Sequence, residues 1–181
     1  MDKRTTFTKI LSKYLPSEFV PYVCELLLKA NVKFKIVAPR STKLGDFKAS
    51  LNEKEKNQIS VNSNLNPFAF LITTLHEIAH LNTFTKHKNK VKPHGPEWKN
   101  EFSILLKPLL TSISLPDELK ITLEQSIKNP KASSGSDVQL SRVLKKYDVQ
   151  KDTYVLEDLD ENCLFILNKK RYSKGKLRRT R

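Results

Sequence analysis

The sequence predicts an α+β fold: several helices around a small antiparallel sheet, with a small basic β-containing segment at the C-terminal end. Three observations carry that reading. Apolar residues recur at helical spacing in most of the chain. Short strand-like segments cluster before residue 63, and again after residue 153. A small, polar stretch at 129–136 (Asn, Pro, Lys, Ala, Ser, Ser, Gly, Ser) separates the two regions. The expected domains are therefore 1–128 and 137–181.

Taken in order, 6–15 and 17–30 read as helices. The second has Ser17 as a candidate N-cap, Val20, Val23, Leu26, Leu27 and Ala30 on one face, and Pro21 where a missing donor matters little. Val32, Phe34 and Ile36 alternate with Lys33 and Lys35, as in a half-buried strand. Segments 44–49 and 58–62 follow as antiparallel neighbours. Asn66 then caps a long helix, with Pro67 at its first position, that runs through His80 to about Thr83. After a basic loop at 86–93, Gly95-Pro96-Glu97-Trp98 starts a helix carrying Phe102, Leu105 and Leu106 and ending before Pro108. Helices fit 116–127 and 138–147, and strands fit 154–156 and 163–167.

With 181 residues, 38% of them hydrophobic and only four glycines, the chain has the composition of a globular protein. The longest apolar stretch, 68–81, is too short to span a bilayer and contains two histidines and a glutamate. The N-terminal residues lack the apolar run of a secretory signal, and Cys24 and Cys163 are too few for a disulfide framework. A cytoplasmic, reducing location is expected. Cys24, in an apolar helical run, reads as a buried thiol.

His76-Glu77-Ile78-Ala79-His80 is an H-E-x-x-H motif inside a predicted helix. Residues four apart share a helix face, so both imidazoles address one point. Zinc held by neutral imidazoles with one position open acidifies water, and a carboxylate one residue along can act as its general base. One catalytic Zn2+, with Glu77 as base, is the expected chemistry. The third ligand is open to choice. Thr83 and Lys86 stand where the extended H-E-x-x-H-x-x-G-x-x-H pattern requires glycine and histidine. His87 lies in the lysine loop, whereas His94, ahead of Gly95 and Pro96, can fold back onto the site. Glu97 and Glu101 are the carboxylate alternatives. Trp98 aligns with Phe102 and Leu105 as core packing, or else walls the metal pocket.

These elements together resemble the SprT-like metalloprotein family, the Spartan-related zincins. The resemblance rests on Leu44-Gly45 and Ile59-Ser60-Val61-Asn62 ahead of the His76-Glu77-x-x-His80 helix, then His94-Gly95-Pro96-Glu97-Trp98, over roughly residues 5 to 110. It implies a zincin-like metalloprotease domain with His76, His80 and His94 as zinc ligands and Glu77 as catalytic base. It also implies an action like that of Spartan, which cleaves proteins covalently trapped on DNA and is activated by DNA. The C-terminal segment departs from relatives that carry a zinc ribbon, since only Cys163 is present there.

The net charge of +14 favours polyanionic partners. Lys86, Lys88, Lys90 and Lys92 lie between the second and third proposed ligands. Lys169, Lys170, Arg171, Lys174, Lys176, Arg178, Arg179 and Arg181 surround Tyr172 near the C-terminal end, just after Glu157, Asp158, Asp160 and Glu161. Basic residues with an aromatic among them suit single-stranded or distorted DNA. The function expected is a DNA-stimulated zinc protease acting on proteins bound or crosslinked to DNA, with no membrane partner. A zinc-containing nucleic-acid-binding module closed by Glu97 or Glu101, and a general peptidase favouring acidic substrates, are the rivals.

Overall fold

The computed structural model describes residues 2–50, 52, 54–128, 130, 137–149 and 156–176. Two compact units emerge, Met1–Asp148 and Val149–Arg181. The first contains helices α1 (Lys3–Leu11) and α2 (Val20–Ala30), strands β1 (Lys33–Val37), β2 (Gly45–Lys48) and β3 (Gln58–Asn62), and helices α3 (Pro67–His87), α4 (Pro96–Leu110), α5 (Asp117–Lys128) and α6 (Val138–Lys145). The mixture of helices and small sheets is α+β, as expected.

The first unit is organised around α3. Asn66 caps it, its side chain accepting a hydrogen bond from the Ala69 amide at 2.9 Å, and Pro67 occupies a position where no amide donor is needed. Phe70, Leu71, Ile72, Leu75 and Ile78 are at most 1% exposed, each contributing roughly 1.5–3 kcal/mol by burial. They face α2, α4 and the sheet, so α3 is apolar nearly all round, the pattern of a central helix. Tyr14 stacks on Phe70, and Phe34 of β1 meets the same ring edge-on.

The three-stranded sheet has the order β1-β3-β2. β2 and β3 are antiparallel neighbours, as the sequence suggests, but β1 pairs with β3 in parallel, so the sheet is mixed rather than antiparallel. The chain leaves β1, crosses to the far edge as β2 and returns through the middle. In this register Phe34, Ile59 and Phe47 share a row, as do Ile36, Val61 and Gly45, and both rows face α3. On the opposite face the Arg40 guanidinium donates to Asn62 Oδ1 and Ser60 Oγ, while the Asn62 amide donates to the carbonyls of Arg40 and Lys43. The chain between β1 and β2 thereby covers the buried polar side chains of β3.

Several boundaries differ from expectation. Ser17 opens a 3-10 turn, Ser17–Phe19, instead of capping α2, which starts at Val20 without a side-chain cap. α3 continues to His87, placing Lys86 on the helix. α4 passes through Pro108 to Leu110. The carbonyl that loses its partner belongs to Ile104, a residue 48% exposed, where water can take the bond. The first unit also extends past residue 128. The Asn66 side-chain amide donates to the Leu144 carbonyl (2.8 Å) and Asp148 Oδ1 (2.7 Å), and Phe68 packs edge-on against Tyr147. Leu140, Val143 and Leu144 are buried, so α6 belongs to this core rather than to the C-terminal segment.

The second unit is a hairpin of β4 (Leu164–Leu167) and β5 (Lys170–Ser173). Asn168 and Lys169 both have positive φ, 51° and 64°, as a two-residue type I′ turn requires. Part of the basic run is therefore a strand, which charge alone concealed. Of the expected strand 154–156, residues 154 and 155 lie outside the described residues, and Leu156 opens a 3-10 turn, Leu156–Asp158. Among the described residues no helix is long and apolar enough to cross a membrane. Asn66→Ala removes an N-cap and two further hydrogen bonds at once. A loss of about 2 kcal/mol in unfolding free energy is expected, read by urea denaturation.

Candidate metal centre

α3 presents His76 and His80 one turn apart, and the turn before α4 presents His94. The three Nε2 atoms converge: His80 to His94 is 2.9 Å, His80 to His76 3.2 Å and His94 to His76 3.3 Å. A tetrahedral ion at 2.0–2.1 Å from each nitrogen requires donor separations of about 3.3 Å. An Nε2–H on one ring can donate to a neighbouring Nε2, but no choice of tautomers satisfies all three contacts at once, so the arrangement suits a shared cation. Among the described residues these three histidines form the one metal-capable cluster, and neither Glu97 nor Glu101 joins it. Glu101 is instead buried in an ion pair with Lys86, at 2.5 Å.

Protons do not compete for these nitrogens near neutral pH. Burial, then the neighbouring His80 and His94, pushes His76 down to about 3. Burial and His94 push His80 down to about 4, and burial lowers His94. All three imidazoles are neutral, the form that binds metal.

Among the described residues no hydrogen bond reaches the Nδ1 atoms, so packing orients the rings. Trp98 supplies that packing. Its ring centre lies 4.6 Å from His76, 5.3 Å from His80 and 4.6 Å from His94, and Phe102 stacks behind it at 5.0 Å. The core and pocket-wall readings of Trp98 are both realised. Its Nε1 is buried without a protein partner. His94 has φ of 57° and Lys88, which ends α3, has φ of 55°, so positive-φ residues stand near both ends of the loop that returns His94 to α3.

Glu77 packs against the edge strand β2, whose Phe47 also lines the cavity beside His80 and His94. A Cβ on Gly45 would lie 2.5 Å from Glu77 Oε1 and 2.7 Å from Thr73 Cγ2, so only glycine admits this approach. The Phe47 amide hydrogen-bonds the carboxylate. Burial first, and the Asp46 charge second, push Glu77 up to about 8, against the opposing pull of Arg40. The contribution of Gly45 was present in the sequence only as a strand glycine, a common signal of close backbone approach. Arg40 and Phe47 carried no signal, because their roles depend on strand order.

Beside the triad opens a cavity of about 320 Å³, lined by His80 and His94, by Phe47, Phe84 and Val91, and by Lys88 and Lys92. Lys88 lies over the Phe84 ring at 5.3 Å. Of the expected nucleic-acid contacts, Lys88, Lys90 and Lys92 are exposed on this loop, whereas Lys86 has its charge compensated by Glu101. In the second unit Lys169 is in the hairpin turn, Lys170 and Arg171 are exposed on β5, and Tyr172 stacks on Phe165 at 5.6 Å. Arg178 and Arg179 lie outside the described residues.

If Trp98 holds the imidazoles in place, Trp98→Phe should keep the fold while weakening zinc binding about tenfold, the lower range for residues that orient ligands. Competition with a chromogenic chelator measures this.

The family model described as SprT-like matches residues 23–107, from within α2 to within α4. No curated protein and no solved structure matches the chain. The matched segment contains the sheet, α3, His94 and Trp98, and over it the chain is similar to the SprT-like family.

Proposed function

We propose that the first unit is a zincin-like zinc metalloprotease that cleaves proteins bound or crosslinked to DNA, and that DNA stimulates it. The SprT-like family implies a metallopeptidase-type domain. The observation that carries the finer reading is the convergence of three neutral imidazole nitrogens with Glu77 adjacent in the chain and held against Gly45.

His76, His80 and His94 would hold the zinc, which when bound supplies Lewis-acid polarisation of the peptide carbonyl and acidifies water. Glu77 accepts the proton of the attacking water and returns it to the departing amine. A carboxyl raised toward neutrality is suited to both transfers. The Phe47 amide and the Gly45 backbone fix its position. The cavity beside His80 and His94 has room for a substrate side chain next to the scissile bond. Lys88, Lys90 and Lys92, on the loop leading to His94, bring positive charge to the same edge, so a polyanion bound there would hold attached protein near the site. DNA supplies proximity rather than chemistry. The absence of a carboxylate from the described cluster favours an open position for substrate over a closed structural site.

The test is cleavage of a DNA-binding protein by the zinc-loaded chain, with and without single-stranded DNA. Cleavage should rise with DNA, and Glu77→Gln should lower it by about 10²–10⁴ with zinc stoichiometry retained. Gly45→Ala should also keep zinc, yet cost at least about a hundredfold in turnover by displacing Glu77. No cleavage by the zinc-bound protein would leave a nucleic-acid-binding module. Cleavage indifferent to DNA would leave a general peptidase.

A further inference from the structure

At the end of the sheet remote from Gly45 lies an open groove of about 920 Å³. Lys33, Lys48 and Lys56 line it, with Gln58, Phe7 and Phe34. A smaller cavity of about 250 Å³ shares Phe7, Val32 and Lys56 with it and adds Lys3. None of these lysines belongs to the basic runs that stand out in the sequence. Lys33 reads there as the solvent side of an alternating strand.

The register explains how they assemble. Lys33, Gln58 and Lys48 form one row across the sheet, so a neutral amide separates two cations. Two strand spacings put them roughly 10 Å apart, about one screening length, so their fields add. Elsewhere some basic side chains have acidic partners: Arg4 and Lys29 with Glu25, Lys43 with Asp46, Lys86 with Glu101, Lys146 with Glu118. Among the described residues Lys33 and Lys48 have no ion pair, and Lys56 donates to the Asn31 amide oxygen rather than to an acid. Glu55 is the single acid among the described residues of the groove. Three lysines gathered around one carboxylate leave an excess of positive charge, an electrostatic cost that a bound anion relieves.

We propose that this groove binds a single-stranded nucleic-acid segment, with Lys33, Lys48 and Lys56 on phosphates and the half-buried ring of Phe7 offered to a base. An aromatic ring favours that occupant over an acidic peptide, since a base can stack on it and a carboxylate cannot. The location fits as well. Lys48 directly follows Phe47, which lines the cavity beside His80 and His94, and Gly45 to Lys48 spans about 10 Å of strand. The groove thus lies about one short strand's length from the Gly45 end of β2, which packs beside Glu77. The inference rests on the nucleic-acid-linked reading above and adds to it a second contact region, on a different edge from the 88–92 loop.

The experiment is fluorescence anisotropy of labelled oligothymidine with the full zinc-loaded chain across a salt series. Two variants are compared: Lys33→Gln/Lys48→Gln/Lys56→Gln, and the loop variant Lys88→Gln/Lys90→Gln/Lys92→Gln. The groove variant, with circular dichroism and melting unchanged, should bind about tenfold more weakly. Its log affinity against log salt should flatten by about 2, because three phosphates of a single strand are no longer neutralised. Unchanged affinity and slope, with binding abolished in the loop variant, would overturn the groove and leave the nucleic-acid reading standing. Displacement of the oligonucleotide by polyglutamate at equal charge concentration would reassign the groove to acidic peptides. If the unsubstituted chain binds no oligothymidine, the groove and the nucleic-acid reading fall together.

Discussion

A helix buried on every side is a poor place for two imidazoles and a carboxylate, and α3 carries all three in five residues. Desolvation is the dominant influence on His76, His80 and Glu77 alike. The surrounding structure can be understood as the set of partners that make this tolerable. For the imidazoles, burial favours the neutral form, whose lone pairs converge and whose rings rest on Trp98 and Phe102. For Glu77, the Phe47 amide and the Arg40 charge offset part of the same penalty. One environment thus prepares two different groups for two different tasks.

This division also sets the requirements on the neighbouring elements. α4 must approach with an aromatic at the position facing the imidazoles, and the loop before it must return His94 through a left-handed backbone conformation. β2 must approach with no side chain at Gly45. The sheet contributes backbone and a missing methyl group, the helices contribute rings, and the carboxylate and imidazoles of adjacent residues face different walls.

Much of this was legible in the sequence because it is local. Asn66-Pro67 announces the start of α3, and the spacing of His76 and His80 is a helix-face argument that needs no tertiary information. His94 could be favoured over Glu97 and Glu101 from its place before Gly95-Pro96, though only the fold brings it within 2.9 Å of His80. What escaped was non-local. The parallel β1–β3 pair, the docking of α6 on Asn66 and the gathering of Lys33, Lys48 and Lys56 all depend on which distant segments become neighbours. Lys86 shows the converse: its place in a charged run was legible, whereas its ion pair with Glu101, on another helix, was not.

The contacts of Asn66 have a consequence for the order of events during folding. Its partners Leu144 and Asp148 lie 78 and 82 residues further along the chain. Closing a loop of that length carries an entropic cost that grows only with the logarithm of its size, but it cannot begin until the distant segment exists. On a ribosome, α3, His94 and α4 all emerge well before α6. The start of the helix that bears His76 and His80 therefore acquires its last anchor late, after the residues of the metal centre have been synthesised. Contacts of such long range slow folding, and here they tie the maturation of the centre to completion of the entire first unit.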